Sequence, residues 1–254
     1  MVAQSKRGML GISGSRRSFL SGGTIRRGLF SSVNTLLPNL AAYWKLDEAS
    51  GTRVDQLGIS NLGSNNGVVS GAGPAGTVFP TGAAFVGASS QSLSVASNSN
   101  LQQSSSFSIF FWITATTAST MGIITKDDAG SNREWGVYMS GNILNFYVYD
   151  NTGAQRNVTK SAFTGTHFVV CWCDNTAKTV NLSVDNAAAI TISLVNNMQP
   201  AKSAPVYLGA FGSVANFLTG TVTAMGIEKK VLSSSERTSL YNGGVGYQYP
   251  WGVI

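Results

Sequence analysis

The residues of this chain that could do chemistry are few. There is one histidine, His167, two cysteines, Cys171 and Cys173, and eleven Asp and Glu in 254 residues. Cleavage of a glycosidic bond by general acid–base chemistry needs two carboxyl groups about 5–10 Å apart. The candidate pair, Asp127 and Asp128, is adjacent in sequence. In a strand the two would point to opposite faces and would not converge on one bond. His167, Cys171 and Cys173 fall on one strand face, a set that suggests zinc. Along a strand, however, His167 and Cys171 lie about 13 Å apart, too far to share an ion. Cys171 and Cys173 would be about 6.6 Å apart, near the limit of disulfide geometry. Free thiols are the expected state, which suits assembly in a reducing cytoplasm. With a single histidine, no Ser-His-Asp set stands out.

Two further groups could bind rather than react. Asp127, Asp128, Asn132 and Glu134 crowd one loop with Gly130 and Ser131. Calcium takes six to eight oxygens, and this loop could supply several, so it is the candidate calcium site. The competing reading is an ordinary polar loop, and no other cofactor is indicated. Trp135, Tyr138, Tyr147 and Tyr149 are the candidates for stacking on a sugar, against the alternative that strand aromatics are core.

The elements that must position these residues divide the chain in two. Residues 1–40 carry Lys6, Arg7, Arg16, Arg17, Arg26 and Arg27 and no acid. Residues 41–254 carry the other eleven Lys and Arg and all eleven Asp and Glu, so their net charge is zero. The formal +6 of the whole chain therefore belongs to the arm. Charged residues make up only 11% of the chain, against about 25% in an average soluble protein. Ser, Thr, Asn and Gly take their place.

The arm repeats. Lys6-Arg7-Gly8-Met9-Leu10-Gly11 is followed by Arg16-Arg17-Ser18-Phe19-Leu20-Ser21 and Arg26-Arg27-Gly28-Leu29-Phe30-Ser31. Each unit reads basic, basic, small, apolar, apolar, small. Such a segment cannot bury its own apolar pairs, and disordered tails usually lack them. Docking on a partner is the expectation, with Met9, Leu10, Phe19, Leu20, Leu29 and Phe30 entering pockets. The basic pairs would meet carboxylates or phosphates. A strap on the chain's own domain is the alternative. Nucleic acid is the less favoured partner, because phosphate contact does not need the apolar pairs. Arg16-Arg17 resembles a twin-arginine export signal, but Arg26-Arg27 puts charge where an apolar region should follow. No apolar run approaches the roughly 18–20 residues of a membrane-spanning helix. Leu36-Leu37-Pro38-Asn39-Leu40 reads as a linker, with Pro38 blocking a helix.

Beyond the arm the apolar period is two. Phe107, Ile109, Phe111 and Ile113 alternate with Ser108, Phe110 and Trp112. Leu144, Phe146 and Val148 alternate with Asn145, Tyr147 and Tyr149. Strands are also expected near 41–46, 83–87, 91–95, 121–126, 134–139, 167–173, 179–184, 189–194, 205–209 and 219–227. Turns are expected at Ser140-Gly141-Asn142, Asp174-Asn175-Thr176-Ala177 and Asp185-Asn186. Residues 57–82 read as a long irregular loop. Ser233 with Glu236 three residues on is a capping-box pattern opening one helix, which Gly243 would end. The fold class is all-β: a two-sheet antiparallel sandwich with one short C-terminal helix and an extended N-terminal arm. The aromatic tail Gly246–Trp251 should pack on the sandwich or on a neighbouring subunit.

In this order the segments resemble a laminin-G-like, concanavalin A-like jelly-roll domain over about residues 41–245. Tyr43–Thr52 is similar to the family's first strand and turn. Phe107–Ile113 resembles its F-S-I-S-x-W-I strand, and Ile123–Asp127 its I-I-S-K-D strand. His167–Val170 with Val180–Asn186 resembles its H-H-V…L-Y-V-D-G pair, and Leu232–Asn242 its closing helix. The resemblance implies glycan binding and, in some members, calcium at loop carboxylates. Glycosidases of this broad fold carry E-x-D-x-x-E on one strand, a pattern this sequence lacks. The expectation is a non-enzymatic structural protein of a phage or virus particle, multicopy, anchored to other virion proteins by its arm. The alternative is a secreted or surface adhesin that binds host glycans.

Overall fold

A computed structural model describes residues 36–115, 119–212 and 215–251. The repeating arm from Lys6 to Phe30 lies outside the described residues. The strands are β1 Leu40–Trp44, β2 Gly63–Asn65, β3 Val69–Ala72, β4 Thr81–Phe85, β5 Ser92–Val95, β6 Phe107–Ala115, β7 Met121–Lys126 and β8 Trp135–Ser140. They continue as β9 Ile143–Tyr149, β10 Gln155–Lys160, β11 Gly165–Asp174, β12 Thr179–Val184, β13 Ile190–Ser193, β14 Val206–Leu208 and β15 Gly220–Glu228, before the helix α1, Ser234–Tyr241. One sheet runs β13-β12-β11-β6-β15-β4-β3, with β1 also pairing β15. The other runs β10-β9-β8-β7-β14-β5-β2. The pairing is antiparallel throughout.

The period-two pattern sorts side chains between two layers. Phe107, Ile109, Phe111 and Ile113 of β6 face Trp135, Val137 and Met139 of β8 and Leu144, Phe146 and Val148 of β9 in the core between the sheets. The intervening Phe110 and Trp112 join Phe168, Val170 and Trp172 of β11 in a second cluster on the far face of the larger sheet. That face is covered by α1 and the C-terminal segment. Trp112 lies parallel to Tyr241 at 6.0 Å, and Tyr43 meets Trp251 edge-on at 4.9 Å. Ser108 Oγ donates to the Lys230 carbonyl and accepts from Leu232 N–H, pinning β6 to the loop that leads into α1.

The turns form where expected. Gly141 takes φ +60° between β8 and β9, and Asp185 and Asn186 take φ 52° and 57° between β12 and β13. Asp174 Oδ1 accepts from the N–H groups of Thr176 and Ala177 between β11 and β12. Ser233 and Glu236 form the reciprocal capping box of α1. The left-handed residue that stops the helix is Asn242, at φ 47°, one place before the expected Gly243.

Two expectations are corrected. Residues 57–82 are not one irregular loop, since they hold β2 and β3. The buried Asp55 carboxylate shapes the turn before them by accepting from the N–H groups of Tyr43, Leu57, Ile59 and Ser60. The buried Arg53 guanidinium ties Gly51 and Val68 together through their carbonyls. The expected linker is also part of the fold. Pro38 sits in a single 3-10 turn, Leu37–Asn39, and Leu36 is fully buried in the outer cluster.

Candidate functional site

The outer face of the smaller sheet carries the clearest concentration of binding groups. Because Trp135, Val137 and Met139 turn inward, Gly136 and Tyr138 turn outward on β8. On β9 the outward set is Asn145, Tyr147 and Tyr149. Register places Tyr147 between Gly136 of β8 and Asn157 of β10, and Tyr149 opposite Gln155. Phe211, on the loop after β14, completes an aromatic group. It meets Tyr138 edge-on at 5.3 Å, and Tyr138 meets Tyr147 at 5.8 Å.

Polar groups fix these rings. Tyr147 Oη is buried and donates to Asp127 Oδ2 at 2.8 Å. Burial, and then the Asp127 charge, push this phenol well above its ordinary value. Arg133 Nε donates to both Asp127 oxygens at 3.1 and 3.2 Å, and its guanidinium lies 4.8 Å from the centre of the Tyr149 ring. Tyr149 Oη donates to Gln155 Oε1 at 3.0 Å. Asn157 Nδ2 donates to Asn145 Oδ1, which leaves the buried Asn157 Oδ1 without a hydrogen-bond partner. Tyr138, Arg133, Asn157 and Phe211 are half-buried and Gln155 is exposed, so the face combines ring surface with the exposed Gln155 amide.

The sequence candidates separate here. Tyr138, Tyr147 and Tyr149 are brought together. Trp135 is not with them: it is fully buried between the sheets, 5.7 Å from Phe107, and offers no surface to a sugar. Its parity with Val137 and Met139 is the signal that places it. Sequence reasoning did not single out Arg133, Asn145, Gln155, Asn157 or Phe211. The polar β10 has one inward apolar residue, Val158, and Phe211 lies outside any periodic run.

The loop proposed for calcium does not gather its oxygens. Asp127 faces Arg133 and Tyr147, while Asp128 accepts from Gly130 N–H, Asn132 N–H and Asn132 Nδ2. Glu134 turns into the protein and pairs with the fully buried Lys126. Burial raises the Glu134 carboxyl to about 7 despite Lys126, and lowers the Lys126 ammonium in turn. Among the described residues, no group of three His, Cys, Asp or Glu is placed to hold a metal ion. Cys171 and Cys173 are free and buried, and burial pushes the Cys173 thiol up to about 12. His167 instead faces Asp185 at 2.7 Å through Nδ1 and the Thr164 carbonyl at 3.0 Å through Nε2. Among the described residues, no helix is long and apolar enough to cross a membrane.

Two sheets in this order, with the closing helix laid over the larger one, agree with a family match. A family model described as the concanavalin A-like lectin/glucanases superfamily, of laminin G type, matches residues 87–236. The chain belongs to this laminin G-like family. A comparison with curated proteins gave no match. Among solved structures, the binding domain of Paraclostridial Mosquitocidal Protein 1 is similar with a TM-score of 0.67 and 16% identity, covering 82% of this chain and 53% of that one. A structure of botulinum neurotoxin type C, described as interacting with two ganglioside molecules, gives 0.66 and 17%, covering 87% and 56%. The ligand-binding domain of botulinum neurotoxin serotype D in complex with N-acetylneuraminic acid gives 0.64 and 12%, covering 84% and 52%. This laminin G-like chain therefore spans about half the length of these structures, and at such identities the likeness is one of fold.

Proposed function

We propose that this laminin G-like chain is a non-enzymatic, glycan-binding module, held in a multicopy assembly such as a phage or virus particle by its basic N-terminal arm. The observation that carries the glycan reading is the outer face of β8, β9 and β10. There Tyr138 and Phe211 offer ring surface beside Asn157, Gln155 and Arg133. Sugars present C–H faces to aromatic rings and hydroxyls to amides, and this face supplies both. Glycan and ganglioside contacts of the structural neighbours are in keeping with it. Both oxygens of Asp127 are engaged by Arg133, and one also by Tyr147.

Glycan-array binding by the full chain, followed by titration with a hit, tests the reading. Tyr138→Ala and Asn157→Ala should each weaken binding about tenfold or more, since a lost stacking or buried amide contact is worth about 1–2 kcal/mol. No binding across the array, or binding indifferent to both changes, would sink the glycan reading. The particle reading rests on the arm's ten-residue repeat beside a domain of zero net charge. Removing residues 1–35, which spares the buried Leu36, should leave a folded sandwich that no longer incorporates. Normal incorporation of the truncated protein would remove the arm from the mechanism. A secreted adhesin is the second reading, favoured if glycan binding persists and no assembly depends on the arm.

A further inference from the structure

We propose that Lys126 and Glu134 condense into an intramolecular amide, a covalent link between Nζ of one and Cδ of the other. The two residues bracket the β7–β8 loop. Lys126 ends β7, and Glu134 stands one place before β8, with its N–H donating to the Lys126 carbonyl at 3.1 Å. Both side chains are fully buried, and Lys126 Nζ is in contact with Glu134 Oε1. The backbone of Lys202 closes the arrangement. Its carbonyl accepts from Lys126 Nζ at 2.8 Å, and its N–H donates to Glu134 Oε1 at 3.0 Å. Glu134 Oε2 is buried and has no hydrogen-bond partner among the described residues.

These partners suit an amide better than an ion pair. In the product, the new N–H would keep the Lys202 carbonyl, and Oε1, now an amide oxygen, would keep the Lys202 N–H. Two residues facing each other in an antiparallel ladder exchange hydrogen bonds in the same way. The oxygen without a partner, Oε2, is the one that leaves. An ion pair at this depth bears the cost of two desolvated charges, and an unpartnered carboxylate oxygen adds to it. The amide carries no charge. Condensation starts from the amine and the carboxylic acid, since an ammonium has no lone pair and a carboxylate resists attack. Burial favours this neutral form, lowering the Lys126 ammonium and raising the Glu134 carboxyl. The Nζ lone pair adds to Cδ, an N–H proton passes to Oε2, and the Cδ–Oε2 bond breaks to release one water. No oxidant, reductant or activated group is consumed. Folding holds the two groups together, which replaces the encounter that makes amide formation slow between free molecules. The closed loop is short, so the link takes little entropy from the unfolded chain. Its consequence is local: it fastens both ends of the loop that carries Asp127 and Arg133.

Intact-mass spectrometry of the denatured full chain, after incubation of the folded protein at neutral pH, reads the link. The wild type should weigh one water less than its sequence, and Lys126→Met should show its full sequence mass. Trypsin locates the loss. A linked Lys126 is not cleaved, so peptide 127–133 should be missing and residues 54–133 should appear joined to 134–156. The wild-type reading does not depend on whether the variant folds. A wild type of full mass that releases peptide 127–133 overturns the inference. So does a water loss that maps to any other residues, or one that persists in Lys126→Met.

Discussion

Gly136 and Tyr147 face each other across β8 and β9, and the Tyr147 ring fills the space that a side chain at position 136 would need. A Cβ at Gly136 would lie 2.6 Å from Tyr147 Oη and 2.7 Å from its ring edge. The bare backbone lets the ring lie over β8 and reach Asp127. Gly136→Ala should therefore push the ring off and break the Tyr147–Asp127 hydrogen bond. A stability loss of about 1–3 kcal/mol is expected, from overpacking and a stranded carboxylate contact. Urea unfolding measures it. A neutral result would mean that the face is less rigid than the hydrogen bonds describe.

Glu228 makes the fold pH-dependent. Its side chain is fully buried on β15, beside Leu40 and Ser108, and neither oxygen has a hydrogen-bond partner. Burial raises the carboxyl from 4.5 to about 9, against the lowering charge of Lys230. The folded state then holds a proton that the unfolded state has released. The contribution is complete below pH 4.5 and is lost as pH rises toward 9. Over that window stability should fall by up to about 1.4 kcal/mol per pH unit from this group. Glu228→Gln should flatten the slope and stabilise the protein at neutral pH. Urea midpoints at several pH values decide it, and an unchanged slope in the variant would refute the assignment.

The Lys126–Glu134 pair gives a test by subtraction. Both side chains are fully buried, and Lys126 also donates to the Lys202 carbonyl while Glu134 accepts from Lys202 N–H. Removing one partner of a buried pair leaves an uncompensated group, at a cost of about 3–5 kcal/mol. Lys126→Met should show this loss. Lys126→Met combined with Glu134→Leu should recover most of it. Equal losses in the single and double variants would mean that the pair contributes through packing alone.

Trp135 and Tyr138 should part company on mutation. Trp135→Ala empties a core position and should cost about 3–5 kcal/mol. Tyr138→Ala should cost far less stability and act on glycan binding. Thermal unfolding and glycan titration on the same two variants separate the roles. The reverse pattern would move the binding face elsewhere.

Where alternation was strong, the fold was legible. The strands β6, β8, β9, β11 and β12 are apolar at every second position, and a half-buried strand demands that pattern. The strands β2, β3 and β10 escaped because Gly63-Ser64-Asn65, Val69-Ser70-Gly71-Ala72 and Gln155–Lys160 have almost no apolar alternation. Neighbours and buried polar groups such as Arg53 and Asp55 position them, and no local pattern announces such groups. The site was half legible. Parity put Tyr147 and Tyr149 outward, and the same parity would have put Trp135 inward. Arg133, Phe211 and Asn157 converge only through tertiary contacts. The calcium reading counted oxygens along the loop, and could not see that Asp127 and Glu134 turn toward cations of their own.

The cover over the larger sheet gives the sandwich a front and a back. Leu36 and Trp251 both sit in the outer aromatic cluster, on the opposite side from Tyr138 and Asn157. Leu36, the first described residue, therefore lies at the back. A body tethered at Leu36 would face its Tyr138 and Asn157 side away from the surface that holds it, much as a lamp is mounted by its base.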